Sequence, residues 1–401
     1  MKRVTISIIS AALLLLLLPC LPASGAKKKA ARISVSWEPA IEVTRGGYAR
    51  VHKLNDGSMM LCYSRGGDAF ARFSGDQGAS WSDEVLVMRA FNASNDRGTA
   101  FVRCANAEFV QLSANHPAHP GRIIYCVNLR PKDNKSTVHP FAIACSVSDD
   151  GGRTWSPRRS IYDSRIWDED ASKGAWEPFA MELPDGTLQV YFTDNTPYFA
   201  KGDRRGNNIS VVESRDGGDS WSSERIVCHS EGGWDGMPVV TVVNDRMYLS
   251  VEHKDERGGK VPMDIQLMTC SLEENWNREI DLGSQQRFSP YVQTEVYEGA
   301  PYIIHTDNYF VVSFQSADGA EETLKDVHSV PEIRICPITE AASDKLGRFY
   351  GMQGGFRPMN IDQTSGSGLW NSLCHLEGDR FLCVTQHKGS IYLIPGTITA
   401  K

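Results

Sequence analysis

The chain is built from short stretches in which apolar and polar positions alternate with a period of two, the pattern of strands with one face buried. Thr187–Asp194 shows it clearly: Leu188, Val190 and Phe192 alternate with Gln189, Tyr191 and Thr193. A tight turn, Leu183-Pro-Asp-Gly186, precedes this run, and the residues from Gly174 to Glu182 read as its antiparallel partner. This unit of turn plus alternating strand recurs six times. The turns are Leu54–Gly57, Ala105–Glu108, Leu183–Gly186, Val243–Arg246, His305–Asn308 and Leu376–Asp379, each followed by its strand. Their intervals of roughly 50 to 80 residues suit a four-stranded sheet with variable loops, and no amphipathic helix separates them. Six such sheets predict an all-β, six-bladed β-propeller, each blade burying its faces against its neighbours.

A second repeat overlies the first. The stretches Ser74–Trp81, Ser148–Trp155 and Ser214–Trp221 all satisfy S-x-D-x-G-x-[ST]-W, and Ser271–Trp276 is a decayed fourth copy. The pattern describes a self-supporting turn: the aspartate accepts from backbone amides, the glycine takes a positive φ, and the tryptophan packs the turn onto the sheet. Asp76, Asp150 and Asp216 are therefore expected to be scaffold, neither catalytic nor calcium ligands.

Composition adds a compartment. Lys2 and Arg3 precede an apolar run from Ile6 to Leu18 and the small residues Ala23–Ala26, the layout of a signal peptide over residues 1–26. Residues 27–401 are expected to form one catalytic propeller domain, secreted or periplasmic, with no run long enough to cross a bilayer. A lipoprotein anchor at Cys20 is the lesser expectation, because Pro19 fits such a cleavage box poorly. Without Lys2 and Arg3 the formal charge moves from −7 to −9 with both signs well mixed, which excludes a nucleic-acid binder or a membrane-surface helix. The nine cysteines after Cys20 form no C-x-x-C pair, so they read as small buried hydrophobes with one or two disulfides allowed and no metal site. No cofactor is implied, and a monomer is expected.

The candidate chemistry lies where loops flanking inner strands converge at one end of the propeller axis. Glu177 sits there between Trp176 and Pro178, apolar company that raises a carboxyl pKa. In the next unit Asp235 follows Trp234 ahead of the turn, while Glu252 and His253 end the strand after it. Antiparallel hairpins bring those ends to one rim, so Glu177 and Glu252 are expected to face each other across a blade boundary. Two such carboxylates are the minimum equipment of a glycosidase. Arg50, Trp176, Trp234, Asp235, His253 and Trp370 are candidate substrate contacts.

Two resemblances sharpen this reading. The S-x-D-x-G-x-[ST]-W stretches resemble the Asp-box (BNR repeat) of sialidase-like propellers, in which the box lies on an outer turn away from the substrate. The sequences Trp176–Phe179, Leu183–Phe192, Gly236–Val240 and Val251–Glu252, with Gly46–Arg50 and Leu369–Leu373, resemble glycoside hydrolase family 93 along nearly the whole mature chain. That resemblance implies an exo-acting α-L-arabinanase cleaving α-1,5-linked arabinan with retention, with Glu177 and Glu252 as the catalytic pair and Asp194 as a substrate contact. The surroundings assign Glu177 as acid/base and Glu252 as nucleophile. Two alternatives remain: an exo-sialidase, in which Arg50, Arg287, Arg334 or Arg357 would hold a sugar carboxylate, and a non-catalytic glycan-binding propeller.

Overall fold

The computed structural model describes residues 33–164, 174–199, 202, 206–255, 262–289, 295–338, 349 and 355–400. The expected signal peptide lies outside them. Alternation has produced six antiparallel sheets in sequence. Blade 1 comprises Gly47–Lys53, Met59–Arg65, Asp68–Ser74 and Val85–Met88. Blade 2 comprises Gly98–Gln111, Ile123–Pro131, Ala142–Ser148 and Arg159–Asp163, with an extra strand, Phe91–Asn95, on the overhanging end of its inner strand. Blade 3 is Ala175–Glu182, Leu188–Asp194, Asn208–Ser214 and Arg225–His229. Blade 4 is Gly233–Val243, Arg246–Asp255, Asp264–Ser271 and Arg287–Phe288. Blade 5 shows three strands, Glu298–His305, Tyr309–Ser316 and Val330–Pro337. Blade 6 is built from both ends of the chain: Gly368–His375, Arg380–His387 and Ser390–Ala400 are completed by Ile33–Trp37.

The first strand of every blade packs against the first strands of its neighbours, and the sixth returns to the first, so these strands surround one axis. Apolar residues fill the space between blades, as alternation on doubly covered sheets requires. All nine described cysteines are buried free thiols.

Five of the six expected turns connect first and second strands as predicted. The sixth is corrected: Ala105–Glu108 is no turn but lies inside the inner strand Gly98–Gln111, and the connection is made by residues 112–122. What resembled a turn is a β-bulge with Asn106 at φ 50°. All six inner strands carry this bulge. Their pairing slips at Gly47/Arg50, Ala105/Glu108, Trp176/Phe179, Gly236/Val239, Gly299/Tyr302 and Leu369/Ser372. Within each slip one non-glycine residue is left-handed: Tyr48, Asn106, Glu177, Met237, Ala300 or Trp370.

The three S-x-D-x-G-x-[ST]-W stretches form matching turns. In each, the aspartate accepts from the first serine hydroxyl at 2.7–2.8 Å and from the amide and hydroxyl of Ser80, Thr154 or Ser220. These bonds hold the carboxyls of Asp76 and Asp216 down at about 2, and at Asp216 they together outweigh burial, the largest single influence, which pushes the other way. The turns follow third strands, at the rim opposite Glu177.

Candidate functional site

The bulge places the site. Ordinary alternation would point residue 177 along the sheet's neighbours. The left-handed conformation at Glu177, φ 58°, re-aims its side chain at the mouth of the axis. The next blade answers with its own bulge: the backbone N–H of Met237 donates to Glu177 Oε2 at 3.2 Å, and the Thr193 hydroxyl donates to the same oxygen at 3.1 Å. Burial drives the Glu177 carboxyl up, while those two bonds and the charges of Arg130 and Arg50 pull back, leaving it above the usual range.

Glu252, 6 % exposed, ends the second strand of blade 4. Its Oε2 accepts the Ala300 backbone N–H at 2.9 Å, so a third bulge, from blade 5, holds it. Burial first, and then the neighbouring charge of Glu177, pushes its carboxyl up to about 8. The negative charge of each carboxyl opposes ionisation of the other, so the pair holds one proton between them near neutrality. Gly236 and Gly299 permit this geometry. A Cβ at Gly236 would meet Glu252 Oε1 at 3.1 Å, and one at Gly299 would meet Glu252 Oε2 at 3.1 Å.

Bulge residues also make the floor. Tyr48, Met237 and Ala300 pack together as a buried cluster, and Trp370, 37 % exposed, lies 6.5 Å from the Tyr48 ring. Beneath them the Arg50 guanidinium stacks on Tyr48 at 3.9 Å, donates to Trp370 O at 3.1 Å and approaches Glu108 at 3.9 Å. His52 pairs with the same Glu108 at 2.8 Å. A cleft of about 370 Å³, lined by Trp234, Lys254, Met263, Tyr297, Leu324 and Lys325 among others, opens alongside.

The remaining predicted residues divide. Trp176 is half-buried against Phe141, and Trp234 is half-buried with its indole N–H unbonded. Asp194 is fully buried and accepts from Tyr162, Ser210 and the Thr196 amide; burial raises it to about 6. Asp235 is likewise fully buried and held by Arg287, with bonds of 2.6 and 2.8 Å, and by His253 at 2.9 Å. In this arrangement Asp194, Asp235 and His253 are buried and bonded to other side chains of the protein. Arg50, at 3 % exposure, is also enclosed.

The arginines of the sialidase alternative are each neutralised internally: Arg50 by Glu108, Arg287 by Asp235, Arg334 by Glu298 and Arg357 by Glu332. Sequence reasoning missed Thr193, Tyr48, Tyr297, Arg130 and the amides of Met237 and Ala300. The last two have no side-chain signal, because the bulge and not the residue type turns the amide toward the site.

No protein-family model and no curated protein sequence matches the chain. Solved structures do. An α-L-arabinofuranosidase from Fusarium graminearum, in complex with an iminosugar inhibitor, superposes with a TM-score of 0.61 at 14 % identity, covering 90 % of this chain and 98 % of that one. An α-L-arabinanase from Penicillium chrysogenum with arabinobiose gives 0.56 at 13 %, covering 89 % and 98 %. A Trypanosoma rangeli sialidase gives 0.51 at 11 %, covering 89 % of this chain and 55 % of the sialidase. The chain therefore has the six-bladed propeller fold shared by family 93 arabinanases and sialidases.

Proposed function

We propose that the protein is an exported retaining glycoside hydrolase, with Glu177 as nucleophile and Glu252 as acid/base, acting on the end of an α-1,5-arabinan or a related glycan. The observation that carries this reading is the pair itself: two carboxyls from adjacent blades, each accepting a backbone N–H from the bulge of the following blade. The sequence-based assignment put the proton on Glu177. Its two hydrogen-bond donors and nearby arginines favour its ionised form instead, so the roles are exchanged. In the first step a Glu177 oxygen bonds to the anomeric carbon as the glycosidic C–O bond breaks, and the departing oxygen takes the proton from Glu252. In the second, water gives a proton to Glu252 while its oxygen displaces Glu177 from the same carbon, so configuration is retained. Trp370, exposed at the mouth, offers a face for a sugar ring.

The internal pairing of Arg50, Arg287, Arg334 and Arg357 weighs against a sialidase site built on them. The test is incubation of the protein with linear α-1,5-arabinan and with sialyllactose, beside Glu177→Gln and Glu252→Gln. Release of one short arabinose product, lost in both variants, supports the reading; no glycan cleavage by folded protein would sink it and leave the binding-module alternative.

A further inference from the structure

Two arginines on blade 2 differ from Arg50, Arg287, Arg334 and Arg357, because neither has a carboxylate partner among the described residues. Arg103 on the inner strand and Arg130 on the second strand are direct register partners, which sets their side chains side by side on one face. Among the described residues neither makes an ion pair. The Arg103 Nε is enclosed without an acceptor, and Arg130 reaches only Asn134 Oδ1, at 3.4 Å. Like charges directly opposite each other on a sheet are destabilising, and natural sheets seldom leave them uncompensated. Burial, and next the charge of Arg103, push the Arg130 guanidinium below the usual arginine range.

Their location is specific. Asn128 lies two residues before Arg130 on the same face, and it donates to the carbonyl of Ala175, on the strand that carries Glu177. Arg130 is thereby near enough to Glu177 to lower its proton affinity. The overhanging hairpin of Phe91–Asn95 and the start of the inner strand stands above the pair, its tip tied by Asn95 to the carbonyls of Thr137 and Val138. Glu177 carries at most one negative charge, so among the described residues it leaves at least one of the two guanidinium charges without a counter-charge.

We propose that Arg103 and Arg130 bind the carboxylate of an acidic sugar, in a subsite on the blade-2 side of Glu177 and Glu252. Two adjacent guanidinium groups present a broad array of N–H donors matched to a planar carboxylate. Within the proposed hydrolase reading, the glycan would then be one related to arabinan that carries a hexuronic or sialic-type residue next to the cleaved bond. This rests on the glycosidase reading only for the meaning of "cleaved bond"; the binding stands separately.

Isothermal titration calorimetry tests it without turnover. Disaccharides ending in galacturonic or glucuronic acid, and 3′-sialyllactose, would each be titrated against their carboxyl-reduced forms. The expected result is that at least one acid form binds roughly tenfold to a hundredfold more tightly than its reduced partner. That advantage should vanish in Arg103→Gln and Arg130→Gln and persist in part in Arg130→Lys, with unchanged circular dichroism. The uronic and sialic arms distinguish the two sources of the carboxylate. Equal binding of acid and reduced forms, an advantage that survives both glutamine variants, or no binding in any pair would each overturn the inference. Bond cleavage of arabinan and its loss in the glutamate variants would be untouched by those outcomes.

Discussion

Met237 gives its backbone N–H to Glu177 at 3.2 Å, and each of these residues is the left-handed member of its own blade's bulge, at φ 52° and 58°. The scaffold's repeated irregularity thus does two jobs: it aims one blade's side chain and presents the next blade's amide to receive it. Ala300 repeats the second job for Glu252.

The assignment of roles has a kinetic signature. Glu177→Gln and Glu252→Gln are each expected to reduce kcat by about a thousandfold or more on natural glycan. With a 4-nitrophenyl glycoside, whose leaving group needs no proton, Glu252→Ala should keep its first step and recover turnover with azide. Glu177→Ala should instead give with azide a glycosyl azide of inverted configuration, where Glu252→Ala gives the retained one. The opposite pattern of rescue would restore the sequence-based assignment.

The shared proton also predicts a pH profile. Activity needs Glu252 protonated, so kcat/KM should fall as pH rises through about 8. The sign for stability follows from linkage. The folded value of Glu252 is raised above its unfolded one, so its contribution is fully present below about 4.3 and is lost as pH climbs toward 8. Glu252→Gln, which never ionises, should therefore gain Tm relative to the natural protein across that window and hold the gain above it. A melting series from pH 4.5 to 9 checks this, and a gap that narrows with rising pH would refute it.

Asp235→Asn should be costly without being a substrate-binding defect. It leaves Arg287 charged and buried at the cost of about 3–5 kcal/mol, while KM of the remaining folded enzyme stays close to natural. Chemical denaturation and steady-state kinetics on the same preparation separate the two.

Trp370→Ala should do the reverse. The ring is 37 % exposed at the mouth, so its loss is expected to raise KM roughly threefold to tenfold with little change in Tm.

The S-x-D-x-G-x-[ST]-W turns should answer only in stability. In Gly152→Ala a Cβ would lie 2.4 Å from the Phe73 ring of blade 1 at a residue with φ 86°. A loss of about 1–3 kcal/mol in unfolding free energy is expected, with kcat/KM of the folded fraction unchanged.

The blades were legible because turn chemistry and period-two alternation are written in residue types. Leu183–Gly186 and Leu54–Gly57 close as such sequences close elsewhere, with Gly186 N–H on Leu183 O and Gly57 N–H on Leu54 O, both at 2.9 Å. The bulges were not legible. Tyr48, Asn106, Glu177, Met237, Ala300 and Trp370 share a φ sign and no chemistry, and Asn106 in particular imitates a turn. Glu177 and Glu252 could be named because each sits at the end of a readable strand. Arg103 and Arg130 could not be joined, since only strand register makes neighbours of two residues 27 positions apart. The pairing of Asp235 was illegible for the same reason: its partner Arg287 arrives from the far edge of the same blade.

The clasp in blade 6 sets the order of assembly. Ile33–Trp37 pairs residue by residue with Gly396–Ala400, so among the described strands it has no hydrogen-bonded neighbour until Ser390–Ala400 exists. Blades 1 to 5 can form by local hairpin closure, but the ring stays an open arc until that final pairing. The carboxylate pair is held by the amides of Met237 and Ala300 on blades 4 and 5, whereas the Arg50–Trp370 contact spans the boundary of blades 6 and 1. A chain missing Ile33–Trp37 would therefore be expected to loosen first along the boundary of blades 6 and 1, with the floor of the mouth yielding before the catalytic wall.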